Sequence, residues 1–511
     1  MTRTWVAALA AVALLAGPAA AQDAKTVISN ASRAMGVDGL NSIHYYGVGM
    51  QGSLGQNNNA NQPWPLTPLN EYVRAIDFTQ PASRATARTW AVSVINNRAA
   101  EGAFNQVITP KSTSWAELLE IWITPWGFLK GAAANNATTR SRTVDGRRYH
   151  EVSFNAPVKS PGGGPYRVVG YINQQTNLVD RVQTWLEHAV FGDMLVEADY
   201  LMYRDSNGLK FPHRIVQKRA GWPLFEFQLV GAHANPPNLQ ELLTPPAPAG
   251  RGGAPGGAPA AGGQGAGRGG APAGPPPAPA PYAEQLAPGV FRIGQKPAAG
   301  TYSALAVEFS DHIVLFEPGP ANIARAEAII AETKRAIPNK PIRYGVPSHH
   351  HIDHTGGMAA VVAEGITIVT PEVNRQFFIN AFSTPRTLAP DVLSKSGRKP
   401  QVQGFAGDKH VFTDGTRTFE LHVVKGLPHA DGNVIGYLPK ERILIYADMF
   451  NLPSKEEPVP NPPVRGTMVF ADNIERLGLT PERIVSVHAL DQQNDGRTTT
   501  VAEIRASLGR K

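Results

Sequence analysis

A stretch rich in alanine, glycine and proline divides this 511-residue chain into two parts. Between residues 245 and 281, 34 of 37 positions are Ala, Gly or Pro, and only Arg251, Gln264 and Arg268 interrupt them. Such a segment buries too little apolar surface to offset its ordering entropy, and its glycines lack the three-residue period of collagen. The sequence therefore predicts a disordered linker over 245–281, between domains over 22–244 and 282–511.

The composition excludes several kinds of site. The chain has no cysteine, which rules out disulfides, a catalytic thiol and a cysteine-ligated metal. A metal site would have to use histidine and carboxylate ligands. The net charge of +7 is a mild excess over so long a chain, and we predict no nucleic-acid partner from it.

The first residues predict export. A short basic start with Arg3 precedes an apolar run over 5–16, and three alanines at 19–21 precede Gln22, as signal peptidase requires. The apolar run is shorter than the ~20 residues that span a bilayer, and no later segment qualifies. We predict a signal peptide over 1–21, no transmembrane segment, and a periplasmic or secreted protein.

Residues 22–244 predict a mostly β domain. Helical spacing covers 24–35 and stops at Gly36, and strand-like segments separated by turn signals such as Asp145-Gly146 follow. The last five of these segments, between 166 and 230, predict an antiparallel meander.

This helix followed by a meander is similar to the half-barrels of periplasmic lipoprotein-carrier proteins. The resemblance implies a cradle for an apolar ligand. The alternative is that the aromatic residues of this region simply pack a core. These residues are Trp115, Trp122, Trp126 and Phe128.

The chemistry is concentrated in the second domain, where residues 348–357 read SHHHIDHTGG and contain the pattern H-x-H-x-D-H. Chance would produce this pattern roughly 4 × 10⁻⁴ times in such a chain. A predicted strand over 342–346 precedes it and a predicted helix over 355–364 follows it. In an extended segment His349 and His351 point to the same side and can bind one metal ion, whereas a bend lets Asp353 and His354 face a second.

Three further candidate ligands come later in the chain, each after a predicted strand. At such positions side chains from separate segments can converge. The pairs are strand 418–424 with His429, strand 442–446 with Asp448, and strand 484–487 with His488. Two other polar residues are predicted to be structural: His350 points away from its neighbours, and Asp431 shapes a turn with Gly432.

These residues and their order resemble the metallo-β-lactamase superfamily over nearly all of 282–511. The predicted strands 304–309 and 312–316, the turn Glu317-Pro318-Gly319 and the helix 321–336 match the family's opening. The resemblance implies an α/β domain with the family's αββα sandwich. It also implies a ligand set of His349, His351 and His429 on the first metal, Asp353, His354 and His488 on the second, and Asp448 bridging both.

Within the superfamily, a bridging carboxylate is typical of glyoxalase II and lactonase-type hydrolases. His351 stands where oxygen-reducing flavodiiron relatives carry Glu, which favours hydrolysis over redox chemistry. Two departures from the family pattern are Ala447, in place of a glycine before the bridging Asp448, and the sequence 486–490 around His488, which lacks the usual glycines. Both change the backbone around a ligand while keeping the ligand itself.

The sequence therefore predicts an exported metallohydrolase that cleaves an ester, lactone, lactam or related bond in a small molecule. Two divalent ions, Zn²⁺ or alternatively Fe or Mn, would activate a water, and Asp353 would be the catalytic carboxylate. Two alternatives remain open: a mononuclear iron-dependent sulfur dioxygenase, and a non-enzymatic apolar-ligand-binding protein with a vestigial hydrolase domain. The substrate, the role of the N-terminal domain and the oligomeric state are left undetermined.

Overall fold

The computed structural model describes residues 23–92, 99–245, 280–296, 302–451, 459–488 and 497–510. The predicted signal peptide and nearly all of the predicted linker lie outside these ranges. Among the helices within them, none combines the length and the apolar character needed to cross a bilayer.

The N-terminal domain is built on one antiparallel sheet of eleven strands. Its elements are α1 (Ala24–Met35), β1 (Ser42–Gly52), β2 (Leu66–Asp77), β3 (Ala82–Val92), β4 (Ala99–Ile108), α2 (Trp115–Trp122), α3 (Pro125–Ala134), β5 (Thr138–Val144), β6 (Arg147–Lys159), β7 (Pro165–Asn173), β8 (Val179–His188), β9 (Gly192–Ser206), β10 (Leu209–Arg219), β11 (Trp222–Ala234) and α4 (Leu239–Leu243). The strand order is β4-β3-β2-β1-β11-β10-β9-β8-β7-β6-β5. The predicted antiparallel β domain with a leading helix is confirmed, and α1 ends at Gly36 in the left-handed conformation that favours glycine.

Helices α2 and α3 pack against this sheet and fill its concave side. Trp115, Trp126 and Phe128 are all buried in the core that results. A cavity between the sheet and the helices measures only about 40 Å³, and it is lined in part by the buried ion pair of Arg74 and Glu120. That volume holds a few water molecules rather than a lipid chain, so the predicted apolar cradle gains no support here.

The C-terminal domain has two sheets. Its elements are β12 (Ala280–Ala287), β13 (Val290–Lys296), β14 (Ala304–Glu308), β15 (Ile313–Phe316), α5 (Ile323–Ala336), β16 (Ile342–Val346), α6 (Ile352–Thr355), α7 (Met358–Ala363), β17 (Thr367–Pro371), α8 (Glu372–Ser383), α9 (Val392–Ser396), β18 (Val402–Phe405), β19 (Lys409–Thr413), β20 (Thr418–Val423), β21 (Val434–Leu438), β22 (Ile443–Tyr446), α10 (Arg465–Arg476), β23 (Arg483–Ser486) and α11 (Val501–Ser507). One sheet runs from β12 to β18 and the other from β19 to β23, each in sequence order.

Three apolar layers hold this domain together, and strand alternation explains how. On β14, Leu305 and Val307 face the second sheet, while Ala304 and Ala306 face the helices α5 and α7. A third cluster packs the outer face of the second sheet against α10 and α11. The order of layers is therefore helix, sheet, sheet, helix, as expected.

The predicted helix over 355–364 is wrong in its bounds, because two short helices, α6 and α7, occupy this region. The helices are separated at Gly356 and Gly357. A Cβ on Gly356 would lie 2.1 Å from the carbonyl oxygen of Ala321, so the chain before α5 approaches here too closely for any other residue. This contact lies at the break between the two helices, directly after the segment that carries Asp353 and His354.

The two domains contact each other through the turn between β8 and β9. Arg386 donates hydrogen bonds to the carbonyl oxygens of Ala189 and Val190, at 2.8 and 3.0 Å. Asp193 accepts from the backbone N–H groups of Thr387 and Leu388, both at 2.9 Å. These charge-assisted bonds tie the turn to the segment that follows α8.

We expect this turn to make the protein sensitive to acid through His188. Its Nδ1 accepts from the N–H groups of Val190 and Phe191, and burial, with Arg219 and Arg386 nearby, lowers the pKa of His188 from 6.5 to about 4. Between these values the unfolded chain binds a proton that the folded protein does not, so stability falls as pH falls. The expected loss from pH 7 to pH 5 is about 2 kcal/mol.

The variant His188→Asn tests this expectation, since the amide oxygen can still accept from the turn but does not titrate. Calorimetry at pH 7 and pH 5 should show a smaller acid-induced drop in melting temperature for the variant than for the wild type. Equal drops in the two proteins would contradict the assignment.

Candidate metal centre

All seven predicted ligands meet at one end of the sandwich, where strands of both sheets terminate. Strand β16 leads into the segment that carries His349 and His351, and α6 then presents Asp353 and His354. The other three ligands follow strands of the second sheet. His429 lies in the loop between β20 and β21, Asp448 follows β22, and His488 follows β23.

His349, His351 and His429 form the first group, and their ligand atoms lie within 4.8 Å of one another. Nε2 of His349, Nδ1 of His351 and Nε2 of His429 are buried and have no hydrogen-bond partner. Burial lowers the pKa of all three imidazoles, and neighbouring histidines add to this effect, while Asp448 opposes it at His349 and His429. The three imidazoles are therefore neutral, and their unpartnered nitrogens converge with no hydrogen-bond donor between them. Such a set matches the ligand preference of Zn²⁺.

Asp353, His354, Asp448 and His488 form the second group. The Nε2 atoms of His354 and His488 are 3.1 Å apart, and Oδ2 of Asp353 lies 3.3 Å from the first and 4.0 Å from the second. Two ring nitrogens this close are joined either by one hydrogen that lies between them or by a cation that both bind. The carboxylates of Asp448, Asp353 and Glu317 hold the pKa of His354 well above its ordinary value, despite the opposing effect of burial.

Asp448 lies between the two groups. Its Oδ2 is 2.8 Å from Nε2 of His354, 3.6 Å from Nε2 of His349 and 3.9 Å from Nε2 of His429, and its Oδ1 is 2.9 Å from Nε2 of His488. His488 and His354 hold the pKa of Asp448 well below its ordinary value although burial alone would raise it, so the carboxylate is ionised. One carboxylate oxygen therefore faces both groups.

The backbone around the last two ligands has two features of its own. Asp448 has φ of 61°, a left-handed conformation that is costly for a residue with a side chain and is characteristic of functional sites. Next to His488, the ring of Tyr302 packs at 4.7 Å, and the two residues form an isolated β-bridge. Residues 489 and 490, which complete the atypical flank of His488, lie outside the described ranges.

The donor set fits divalent cations. Three buried imidazole nitrogens have no partner, two more face each other, and two carboxylates lie beside them. Bound cations would satisfy all of these groups at once. His349, His351 and His429 would hold one ion, Asp353, His354 and His488 a second, and Asp448 would contact both.

Glu317 is a functional residue that the sequence analysis placed only in a turn. It is fully buried with φ of 60°, and its Oε1 lies 2.8 Å from Nδ1 of His354, while its Oε2 accepts from the N–H of Ser348 at 3.0 Å. A carboxylate behind a ligand histidine fixes the ring and leaves Nε2 for the metal. Glu317 directly follows β15, which pairs with β16. This position was the signal in the sequence that could have identified Glu317.

Two residues of the N-terminal domain also reach the centre. Gln56 donates to Oδ1 of Asp353 at 3.0 Å, and the carbonyl oxygen of Asn57 lies 3.0 Å from Nε2 of His351. His350 lies outside both groups and donates to the same Asn57 carbonyl at 2.8 Å, and Asp431 accepts from Asn59 at 3.0 Å. No motif links positions that lie nearly 300 residues apart in the sequence.

Comparison with known proteins places this geometry in context. Residues 299–488 match the model of the metallo-beta-lactamase superfamily. A curated relative, the 2,4-dinitroanisole O-demethylase subunit alpha of Nocardioides sp. (strain JS1661), is 27% identical over 154 residues, which cover 29% of this chain. The chain spans only 41% of the length of that relative.

Solved structures of similar proteins include a metallo-beta-lactamase from Pontibacter korlensis, at 20% identity and a TM-score of 0.32, covering 45% of this chain and 97% of that one. Rubredoxin oxygen:oxidoreductase from Desulfovibrio gigas matches at 18% identity and a TM-score of 0.32, covering 45% and 61%. The matched region 299–488 contains all seven candidate ligands. The C-terminal domain of this chain belongs to the metallo-beta-lactamase superfamily.

Proposed function

We propose that the protein is a hydrolase with a dinuclear metal centre. The observation that carries the proposal is the position of Asp448, whose Oδ2 faces His349 and His429 on one side and His354 on the other. A carboxylate placed in this way suits two ions that share one ligand and one activated water. The all-nitrogen and oxygen donor set favours Zn²⁺, with Fe or Mn as alternatives.

The chain's own residues supply the remaining parts of the reaction. When bound, the ions would lower the pKa of a water from about 15.7 to about 7 and so supply a hydroxide nucleophile. Asp353 has one oxygen tied to Gln56 and the other facing His354 and His488, and His354 helps to keep its pKa low against the effect of burial. Asp353 is thus an ionised carboxylate held in place, and we assign it the role of orienting the nucleophile.

The substrate we propose is a small molecule with an ester, lactone or lactam bond. Export to the periplasm or the medium is also proposed, on the basis of the signal sequence at 1–21, and it argues against glutathione thioesters, which are cytosolic. The relative from Nocardioides is named for a methoxy aromatic compound, so 2,4-dinitroanisole also belongs among the compounds to be tested.

The experiment that tests the function combines metal quantification on the purified protein with a panel of substrates. We expect two equivalents of metal and hydrolysis of at least one ester, lactone, β-lactam, phosphodiester or 2,4-dinitroanisole. Removal of metal with a chelator should abolish that activity, and added Zn²⁺ should restore it. Full activity in metal-free protein, or oxygen consumption with a persulfide at one iron per chain, would overturn the proposal.

A further inference from the structure

The loop between β1 and β2, residues 53–65, leaves the N-terminal sheet and lies directly on the metal centre. Its first contact is made by Gly55, which has φ of 70°. A Cβ on Gly55 would lie only 2.1 Å from Cγ2 of Ile352, the residue between His351 and Asp353. The backbone of the loop is therefore packed against the ligand segment as closely as glycine allows.

The carbonyl group of Asn57 determines which nitrogen of His351 is free. A carbonyl oxygen only accepts, so Nε2 of His351, 3.0 Å away, carries the hydrogen. In a neutral imidazole Nδ1 then keeps its lone pair. This Nδ1 is the atom that His351 contributes to the first group, and it is buried without a hydrogen-bond partner. Asn57 is itself fixed in position. It is 1% exposed, and its side-chain amide donates to the carbonyl oxygens of Asn59 and Gln62.

The side chain of Gln56 acts on the second group in a similar way. Its amide nitrogen donates to Oδ1 of Asp353 at 3.0 Å, which leaves Oδ2 directed at His354 and His488. The amide thereby selects which carboxylate oxygen is available to a cation.

The loop also holds the segment that carries His429. Asn58 donates to the carbonyl oxygen of Pro428 at 2.8 Å and accepts from the N–H of Asp431 at 2.6 Å. Asn59 donates to the carboxylate of Asp431 at 3.0 Å. Ligands of both groups, on two separate segments, are thus oriented by one loop from the other domain.

We propose that residues 53–65 are a positioning element of the metal centre, so that the two domains form one composite site. Asn57 sets the tautomer of His351, Gln56 sets the orientation of Asp353, and the N-terminal domain thereby controls metal affinity. This inference rests on the metal centre of the proposed function. It adds a role for a domain to which the superfamily match, at 299–488, does not extend.

The first test measures the affinity for Zn²⁺ in the full-length protein by competition with a chromophoric chelator. We expect Gln56→Leu to weaken one of the two sites by about 10- to 100-fold, as loss of a partner behind a metal ligand does. Gln80→Leu is the matched control, because it makes the same chemical change at an exposed turn position outside the loop. Its affinities should equal those of the wild type.

The outcomes separate the two proposals. A wild-type protein that binds no Zn²⁺ overturns the metal centre itself. A wild type that binds two ions, with Gln56→Leu binding both equally well, overturns only the role of the loop.

A second pair of variants tests the packing of the loop. Gly55→Ala should weaken Zn²⁺ binding because its methyl group displaces the ligand segment at Ile352. Gly146→Ala has the same backbone penalty, since φ is 76° there, but nothing lies within 4 Å of its added Cβ. Equal Zn²⁺ affinities in these two variants would contradict the inference.

A spectroscopic measurement tests the tautomer without relying on activity or on metal. In metal-free protein labelled with ¹⁵N-histidine, we expect His351, assigned by comparison with His351→Gln, to carry its hydrogen on Nε2. A hydrogen on Nδ1 would overturn the role given to Asn57.

Discussion

Replacing Asp448 with alanine is expected to remove hydrolysis and to leave the protein with at most one tightly bound metal ion. The substitution takes away the only described carboxylate whose oxygen lies within 4 Å of ligand nitrogens in both groups. It also removes the carboxylate whose oxygens lie 2.8 and 2.9 Å from Nε2 of His354 and of His488. Since partners behind a ligand change metal affinity by about 10- to 100-fold, loss of a ligand should cost more than about 100-fold.

Metal content by elemental analysis and turnover on the best substrate of the panel measure this effect. Asp472→Ala is a suitable control, because Asp472 lies on α10 and makes only an exposed ion pair with Arg510. The control should keep both ions and full activity. A variant Asp448→Ala with two ions and wild-type turnover would contradict the bridging role.

The second large effect is expected for Glu317→Leu. Glu317 and His354 are both fully buried in their ion pair, so leucine leaves a charged imidazole and the N–H of Ser348 without their partner. Breaking such a buried pair costs about 3–5 kcal/mol in unfolding free energy. The metal affinity of the second group should fall by about 10- to 100-fold as well, because the ring of His354 is no longer held.

Glu317→Gln separates the two contributions. Its amide oxygen can still accept from Nδ1 of His354, so this variant should lose less stability and less metal affinity than Glu317→Leu. Urea unfolding of the metal-free proteins and Zn²⁺ titration measure the two quantities. The role of Glu317 is refuted if leucine is tolerated as well as glutamine.

The ligands on 349–354 were predictable because they are close together in sequence and their spacing itself carries geometry. Alternation in an extended chain puts His349 and His351 on one side, and the structure has both in the first group. His429, Asp448 and His488 were predictable in a weaker sense. Each follows an apolar strand, and ends of neighbouring strands lie at a common edge of a sheet.

The residues that hydrogen-bond to the candidate ligands, Glu317, Gln56 and Asn57, were not predictable in the same way. Glu317 directly follows β15, and only the parallel pairing of β15 with β16 brings it next to His354. Gln56 and Asn57 have no distinguishing chemistry of their own. Their significance depends on how a β-hairpin loop of one domain packs on another domain, and no local pattern encodes such packing.

The N-terminal domain shows the same limit in its interior. Alternation and turn residues predicted its helix and its antiparallel strands, because those depend on neighbours in sequence. Whether Trp115, Trp126 and Phe128 would line a cradle or fill a core depended on where α2 and α3 settle against the sheet. They are buried there, and the cavity between these helices and the sheet is about 40 Å³.

By itself the sequence predicted the mostly β first part, the superfamily fold of the second, and a set of histidine and aspartate side chains able to hold metal in a chain without cysteine. Those properties follow from composition and from spacings of a few residues. Only the tertiary structure decided which oxygen of Asp353 and which nitrogen of His351 are left free for a cation. Hydrogen bonds from a distant loop make that choice, since burial forces each polar atom near the centre to find a partner wherever the fold provides one.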